Sequence, residues 1–217
     1  MQITEVGELI FPEIKIIQYN RFMDERGFFA EIYRRSDFQK NERLSFLSHK
    51  EFKQANISFS KAKVVRGLHF QFDPPMEKLV RPIQGAMIDL FIDIRIGSPF
   101  FGKIGGHAMS TTFTDHFNQW IYIPSGFAHG AIFLEPTMLE YFCTEEYNPD
   151  TERTISPLAK DIDWSLFEVN LKKQVDQILH EGPLISQKDQ NGDSLGDWKS
   201  NPDSQKFLFT KESGLSI

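Results

Sequence analysis

Between residues 54 and 147 the sequence alternates apolar and polar positions in short runs, which Gly, Pro, Asn and Asp interrupt at intervals typical of antiparallel strands. In GAMIDLFIDIRIGSP, one side of a strand would carry Ile88, Leu90, Ile92 and Ile94, and the other Asp89, Phe91, Asp93 and Arg95. NQWIYI and AHGAIFL predict two more strands around the turn Pro124-Ser125-Gly126. Many short strands without long helical patterns indicate an all-β barrel or jelly roll, architectures that limit exposed sheet edges.

The carboxyl-terminal part of the chain has a different pattern. NLKKQVDQILHEGP predicts a helix packed on the barrel, with apolar residues at helical spacing, Asn170 as N-cap and Gly182-Pro183 as its stop. The apolar positions are Leu171, Val175, Ile178 and Leu179. The sequence after Asp189 is polar and has no sustained period. We therefore predict one domain over residues 1–190 and a loosely ordered polar tail over residues 191–217.

Composition narrows the functional classes. A chain of 217 residues, 40% of them hydrophobic, is long enough for one sizeable core. The single cysteine, Cys143, excludes an intrachain disulfide, and Glu5, Glu8 and Glu13 interrupt the apolar run that a secretory signal needs, so we expect a cytoplasmic protein. No stretch approaches the roughly 18 apolar residues of a membrane span. A net charge of -6 argues against nucleic-acid binding, and an anionic ligand would need a local cluster of Arg and Lys.

Two histidines begin the list of candidate chemical groups. RGLHFQ places Arg66 and His69 around Gly67, where the backbone can approach a ligand closely, and PSGFAHG adds His129 after a turn. Histidines in a small β-barrel raise the question of a metal site. However, the metal-binding cupin pattern has a His-x-His pair, and here the corresponding stretch ends in Gln71. Two histidines without a third ligand predict that no metal is bound.

Two further polar residues fall within apolar runs. In LEYFC, Tyr141 shares a strand face with Leu139 and Cys143, which predicts an interior position. Lys78, in MEKLVRPIQG, would place a cation in the same interior. Taken one at a time, Tyr141 is also explained as a core tyrosine with a satisfied hydroxyl, and Lys78 is more commonly explained as a surface lysine.

The order of the motifs is more specific than any one of them. DERGFFAE, QANIS, RGLHFQ, EKLVRPIQG, IDIR, IPSGFAHG, EYFCTEEYNPDTE and PLISQKD follow one another in the chain. Together they resemble the dTDP-4-dehydrorhamnose 3,5-epimerase family over about residues 8–190. The resemblance implies an antiparallel cupin-type jelly roll with a few short peripheral helices, no metal or other cofactor, and a homodimer whose sites contain residues from both chains.

The resemblance also implies residue roles. His69 corresponds to the general base, Asp189 to the carboxylate that orients it, Tyr141 to the acid on the opposite sugar face, and Lys78 to the lysine facing the 4-keto oxygen. Positions implicated in holding the nucleotide sugar are Arg26, Phe28, Phe29, Glu31, Gln54, Asn56, Arg66, His129, Glu152 and Lys188. Arginines suit the diphosphate because they form charge-assisted, often bidentate hydrogen bonds with phosphate oxygens.

The expected reaction is epimerisation at C3, C5 or both of a nucleotide-linked 4-keto-6-deoxy sugar, most simply dTDP-4-keto-6-deoxyglucose to dTDP-4-keto-rhamnose. Proton abstraction beside a ketone needs a base and an oxyanion stabiliser, and inversion needs an acid on the other face. The chain departs from the family pattern at SPLAKDIDW and in a longer segment before PLISQKD, so single-centre epimerisation in another deoxysugar pathway stays open. The rivals of other classes are a metal-dependent cupin oxygenase using both histidines and a non-catalytic sugar-nucleotide-binding module.

Overall fold

The computed structural model describes residues 1–210. The strands are β1 Ile3–Glu8, β2 Lys15–Asn20, β3 Phe22–Asp24, β4 Gly27–Phe29, β5 Gln54–Ser60, β6 Val64–Gln71, β7 Lys78–Asp93, β8 Ile104–Thr111, β9 Phe117–Ile123, β10 Phe127–Phe133, β11 Thr137–Cys143, β12 Glu152–Thr154 and β13 Leu184–Ile185. The helices are α1 Arg35–Lys40, α2 Val169–His180, α3 Gln187–Gln190 and α4 Leu195–Ser200, with 3₁₀ segments at Glu42–Leu47 and Pro202–Phe207. Strand therefore dominates, as the alternating pattern predicts.

The long strand β7 belongs to both layers of the barrel. Its first half pairs with β9 and β11, in the order β1-β2-β9-β7-β11-β5, and we call this layer the first sheet. Its second half pairs with β8 and β10, in the order β8-β7-β10-β6-β12, with β13 also on β6; this layer is the second sheet. Gly85 lies at the crossover with φ 96°, a conformation that side-chain-bearing residues rarely adopt. The antiparallel jelly-roll prediction is confirmed.

The two strands predicted around Pro124-Ser125-Gly126 are present, but they do not pair with each other. Strand β9 lies in the first sheet between β2 and β7, whereas β10 lies in the second sheet between β7 and β6. The turn therefore carries the chain from one layer to the other, and Gly126 has φ 87° within it. His129 lies on β10 shortly after this turn and therefore belongs to the second sheet.

The predicted alternation along β7 separates two hydrophobic clusters. Ile88, Leu90 and Ile92 face outward and pack under the carboxyl-terminal helices, whereas Phe91 faces the barrel interior. Both faces of the strand are thus covered, which explains its high apolar content. Two carboxylates interrupt the interior face, and each has a partner: Asp89 pairs with His129, and Asp93 pairs with Arg95.

The carboxyl-terminal segment corrects two sequence expectations. The N-cap of α2 is Glu168, whose carboxylate accepts hydrogen bonds from the amides of Asn170 and Leu171, so the prediction of Asn170 is wrong. The loose order expected from residue 191 is also wrong for residues 191–210, and residues 211–217 lie outside the described part of the chain. Helix α4 begins with a capping box, and its Trp198 packs in the hydrophobic cluster between the second sheet and the carboxyl-terminal helices. A few large apolar residues anchor a segment whose average composition is polar.

Replacing Trp198 by alanine should lower the free energy of unfolding by about 3–5 kcal/mol, the usual cost of truncating a buried aromatic residue. The indole is fully buried and donates a hydrogen bond to the carbonyl of Ile94 at 3.0 Å. Urea titration monitored by circular dichroism measures the change. The control is Leu208→Ala, because this side chain is 53% exposed and its loss should change stability by about 0.5 kcal/mol or less. Equal effects of both variants would contradict the anchoring role of Trp198.

Candidate active site

A cavity of about 330 Å³ opens between the two sheets. Eight of the sequence-predicted site residues line it: Gln54, Asn56, Arg66, His69, Lys78, His129, Tyr141 and Glu152. The other lining residues are Ser58, Met76, Gly130, Ala131, Phe133, Leu139, Cys143 and Tyr147. A mainly apolar cleft with a few convergent polar groups is the usual form of a small-molecule site.

The strand register places the key side chains on opposite walls. His69 on β6 lies directly opposite His129 on β10, both in the second sheet. Tyr141 on β11 lies opposite Asn56 on β5, and Lys78 on β7 lies opposite Cys143, all in the first sheet. Packed sheets are about 10 Å apart, which leaves room for a sugar ring between the imidazole wall and the phenol wall.

Two glycines bring the histidine strands together. Gly67 has φ 107°, and a Cβ atom there would lie 2.6 Å from the Cα atom of Gly130 and 2.7 Å from the carbonyl oxygen of His129. The sequence suggested that Gly67 lets the backbone approach a ligand, but in the structure it lets β6 approach β10. Its contribution to the site is therefore to set the separation of the two histidine-bearing strands.

His69 and Asp189 form a hydrogen-bonded pair. The Nε2 atom of His69 lies 2.7 Å from Oδ1 of Asp189. The backbone N–H of Asp189 donates a hydrogen bond to the hydroxyl oxygen of Ser186 at 3.0 Å. Burial opposes the charge of Asp189, but the hydrogen bond and charge of His69, with the Gly67 amide, outweigh it and hold the pKa of Asp189 below its ordinary value. The ionised carboxylate accepts the Nε2 proton, so Nδ1 is the ring nitrogen with a lone pair available to a substrate.

The opposite wall carries two groups without hydrogen-bond partners among residues 1–210. The Tyr141 hydroxyl is one, and burial raises its pKa above the ordinary tyrosine value. The Lys78 ammonium is the other. Burial lowers the pKa of Lys78, and this effect is only partly offset by Cys143, Glu152 and Asp89. Unpaired polar groups facing a cavity are available for a ligand, since internal partners do not compete for them.

The rim of the cavity is a polar network. Lys188 forms an ion pair with Glu152, and the Tyr147 hydroxyl donates a hydrogen bond to the same carboxylate at 3.2 Å. The amide of Tyr147 donates to the side-chain oxygen of Gln54 at 2.8 Å. Burial disfavours the charge of Lys188, but Glu152 outweighs this and raises the pKa of the lysine. Tyr147 was not assigned to the site from the sequence, because it follows the end of β11 and strand alternation does not place it.

Four predicted binding residues lie away from the cavity of their own chain. Arg26 pairs with Asp24 at 2.6 Å in the β3–β4 hairpin, and Phe29 is 68% exposed. The ring of Phe28 lies 4.3 Å from the guanidinium carbon of Arg21. Glu31 is also absent from the lining, because its carboxylate binds Arg34 and the amino group of Met1. A substrate role for these four residues stays a prediction.

The described residues contain neither a grouping suited to a metal ion nor a helix suited to cross a membrane. Within residues 1–210, no group of three or more His, Cys, Asp or Glu side chains is arranged to hold a metal ion. Each cavity histidine instead directs its Nε2 atom to a carboxylate, at 2.7 Å for His69 and 2.8 Å for His129. In the same part of the chain, no helix has the length and apolar character needed to cross a membrane.

The jelly roll and its two-walled cavity define a cupin-type epimerase. The chain belongs to the dTDP-4-dehydrorhamnose 3,5-epimerase family, whose model matches residues 8–197. The family, the fold and the isomerase class predicted from the ordered motifs are therefore confirmed.

Individual relatives agree with this assignment. The chain is 36% identical to the dTDP-4-dehydrorhamnose 3,5-epimerase of Methanothermobacter thermautotrophicus, over 86% of this chain and 90% of the relative. It is 35% identical to the Neisseria gonorrhoeae protein of that name, over 87% of this chain but only 52% of the relative, so it spans about half the length of that protein.

Solved structures are similar over nearly the whole chain. The dTDP-6-deoxy-D-glucose-3,5-epimerase of Legionella pneumophila, in complex with dTDP-4-keto-L-rhamnose, has a TM-score of 0.74 and 31% identity, covering 95% of this chain and 98% of that one. A 3'-monoepimerase of Streptomyces bikiniensis, in complex with dTDP-quinovose, has a TM-score of 0.70 and 25% identity, with 88% of each chain covered.

Proposed function

We propose that this protein epimerises C3 and C5 of dTDP-4-keto-6-deoxyglucose to form dTDP-4-keto-rhamnose. The observation that carries the proposal is the placement of His69 and Tyr141 on opposite walls of one cavity. Epimerisation requires a proton to leave one face of a carbon and another to arrive at the opposite face. The relative bound to dTDP-4-keto-L-rhamnose supports this substrate class.

His69 is the base of the proposed reaction. Its Nδ1 takes the proton from the carbon beside the ketone, and Asp189 stabilises the imidazolium that forms, because the ionised carboxylate already accepts a hydrogen bond from Nε2–H. The electron pair of the broken C–H bond moves into the ring as an enolate, with its charge on the 4-oxygen. Lys78 faces that charge as an ammonium, which stabilises an oxyanion strongly in a cavity of low polarity.

Tyr141 completes the inversion. Its hydroxyl donates a proton to the enolate carbon from the first-sheet wall, and the carbonyl is regenerated as the carbon–hydrogen bond forms. Its raised pKa keeps the phenol protonated at neutral pH. Arg66, on β6, lines the same cavity and supplies a positive charge for the diphosphate.

Proton NMR in deuterated water tests the proposal directly. With dTDP-4-keto-6-deoxyglucose, the C3 and C5 hydrogens should exchange for deuterium, and the product should have inverted configuration at both carbons. Exchange at neither carbon would end the proposal. The similarity to a 3'-monoepimerase favours one alternative, inversion at C3 alone, which the same spectra recognise by exchange and inversion at a single carbon.

As pH rises, the activity should fall at a pH below about 10.5, the ordinary lysine pKa. The reason is that burial lowers the pKa of Lys78, so this ammonium loses its proton and its ability to stabilise the enolate earlier than a solvated lysine does. Initial rates measured across the pH range give the pH at which activity falls, and circular dichroism at each pH controls for unfolding. A rate that stays constant up to the ordinary lysine pKa would contradict the role of Lys78.

A second copy of the chain is proposed to complete the site. The β3–β4 hairpin carries Arg26, Phe28 and Phe29 away from its own cavity, and exposed Ile57 and Phe59 form an apolar strip on the edge strand β5. Exposed edge strands and apolar patches of this kind commonly mark association surfaces. We infer a homodimer in which each hairpin reaches the cavity of its partner and contacts the nucleotide.

Mixed dimers distinguish this arrangement from a self-contained subunit. A hairpin variant, Arg26→Ala with Phe28→Ala, and the base variant His69→Ala should each be poorly active alone. Because a mixed dimer with sites shared in this way has one intact site, mixing and re-equilibrating the two should restore activity. No recovery, with exchange of subunits verified by native mass spectrometry, would refute the shared site.

Metal analysis and chelation distinguish the proposed epimerase from a metal-dependent oxygenase. Full epimerase activity in excess EDTA, with substoichiometric transition metal in the purified protein, is the expected result. Loss of activity that returns with one added metal would favour the rival. Turnover of the nucleotide sugar would exclude a non-catalytic binding module. Cytoplasmic location stays a prediction, for which cell fractionation is the test.

A further inference from the structure

A second set of polar side chains extends into the barrel behind His129. The Nε2–H of His129 donates to Oδ2 of Asp89 at 2.8 Å. Asp89 is fully buried, and its other oxygen, Oδ1, has no hydrogen-bond partner within residues 1–210. Buried carboxylate oxygens are nearly always hydrogen-bonded, so this oxygen marks a place where a donor is required.

The complementary group lies on the neighbouring strand. His107 on β8 is directly opposite Asp89 on β7, a position at which Cβ atoms are about 4.5–5.5 Å apart. Its Nε2 atom is also buried and, among the described residues, has no partner. Gln119, from the first sheet, hydrogen-bonds the imidazole of His107. An acceptor without a donor and a ring nitrogen without a partner therefore face each other in one interior.

We propose that His107 is a positioning residue: one bridging water donates one hydrogen bond to its Nε2 and a second to Asp89 Oδ1, and so fixes the carboxylate that orients His129. Burial lowers the pKa of His107 although Asp89 and the hydrogen bond to Gln119 act to raise it, so the ring is neutral at neutral pH, with its one N–H directed to Gln119 and Nε2 left as an acceptor. The bridge fits the general behaviour of buried polar pairs, which single water molecules commonly connect. The proposal rests on the proposed function in one respect, namely that His129 contacts the sugar nucleotide.

The position of Asp89 makes this arrangement relevant to the cavity. One oxygen of Asp89 holds a residue that lines the cavity, and its charge also acts on Lys78 at the other wall. A carboxylate held at only one oxygen can rotate, and the imidazole bonded to it would rotate with it. Fixing the second oxygen from β8 therefore pre-organises His129 without any contact between His107 and a ligand.

A measurement on the resting protein tests the proposal without substrate. Nitrogen-15 NMR of the histidine rings at one pH reports the tautomer and hydrogen bonding of His129. In His107→Leu, the Nε2 signal of His129 should shift or broaden, whereas His107→Gln, whose amide oxygen can accept from the bridging water, should restore it. An unchanged His129 signal in folded His107→Leu would overturn the proposal, whether or not the protein proves to be an epimerase.

Kinetics then test the consequence for the site. Because the effect acts through a binding contact, His107→Leu should raise KM about tenfold while kcat changes less than about twofold, and His107→Gln should have a near-normal KM. In an Asp89→Asn background, His107→Leu should add no further change. Additive effects would show that His107 acts independently of Asp89, and an unchanged KM in His107→Leu would also contradict the role. Met109→Leu, on the same interior face of β8, is the matched packing control.

Discussion

His69→Ala is expected to lower kcat for epimerisation by at least about 100-fold, within the usual range for removing a general base. No other imidazole among residues 1–210 has the same position, since the cavity's second histidine, His129, directs its Nε2 atom to Asp89. The variant should also lose deuterium exchange into the substrate, because without the base the carbon–hydrogen bond is not broken. Initial rates and NMR exchange measure both effects on one sample.

Two controls separate this loss from general damage. His180→Ala removes an exposed imidazole at the end of α2 and should leave kcat unchanged. Asp189→Asn keeps His69 but removes the charge that stabilises its imidazolium, so it should lower kcat by a smaller factor than His69→Ala. If His69→Ala were folded and as active as the parent, the imidazole–carboxylate pair would be structural and the base would lie elsewhere.

The fold was predictable where period and burial agree. The alternation of Ile88, Leu90 and Ile92 marks one buried face of β7 correctly, and Ile94 continues it just after the strand ends, because a strand repeats every two residues. The same local pattern does not reveal that one strand serves two sheets or that β9 and β10 separate, since pairing is a long-range property. Trp198 was missed because anchoring depends on the volume of a few side chains, and the segment around it is polar on average.

The site was predictable to the extent that ordered motifs identify a family. His69, Lys78 and Tyr141 line one cavity and Asp189 hydrogen-bonds His69, as that order implies. Strand alternation would have added Cys143, which shares a face with Tyr141. His107 was inaccessible to the same reasoning, because its interest arises only from its register opposite Asp89.

Tyr141→Phe is expected to reduce product formation by about 100-fold while the substrate continues to exchange deuterium. His69 still removes the proton, and its imidazolium exchanges that proton for a deuteron from solvent, because the side chain is 26% exposed. The deuteron is then delivered to the same face of the carbon from which the proton was removed. The recovered dTDP-4-keto-6-deoxyglucose should therefore carry deuterium with unchanged configuration. The Tyr141 hydroxyl has no hydrogen-bond partner among the described residues, so its removal should leave folding intact.

The pattern of exchange and inversion in two variants assigns the two faces. Tyr147→Phe is the matched control, because this phenol lies at the rim and bonds Glu152, and its loss should lower kcat less than about tenfold. If Tyr141→Phe abolished exchange while His69→Ala retained it, the acid and base would be interchanged. If Tyr141→Phe inverted both carbons at the parental rate, the first-sheet wall would have to deliver its proton from another group. Inversion by the parent combined with exchange but no inversion in Tyr141→Phe is the outcome specific to a base and an acid on opposite walls, since a single group serving one face has no means of producing the inverted sugar.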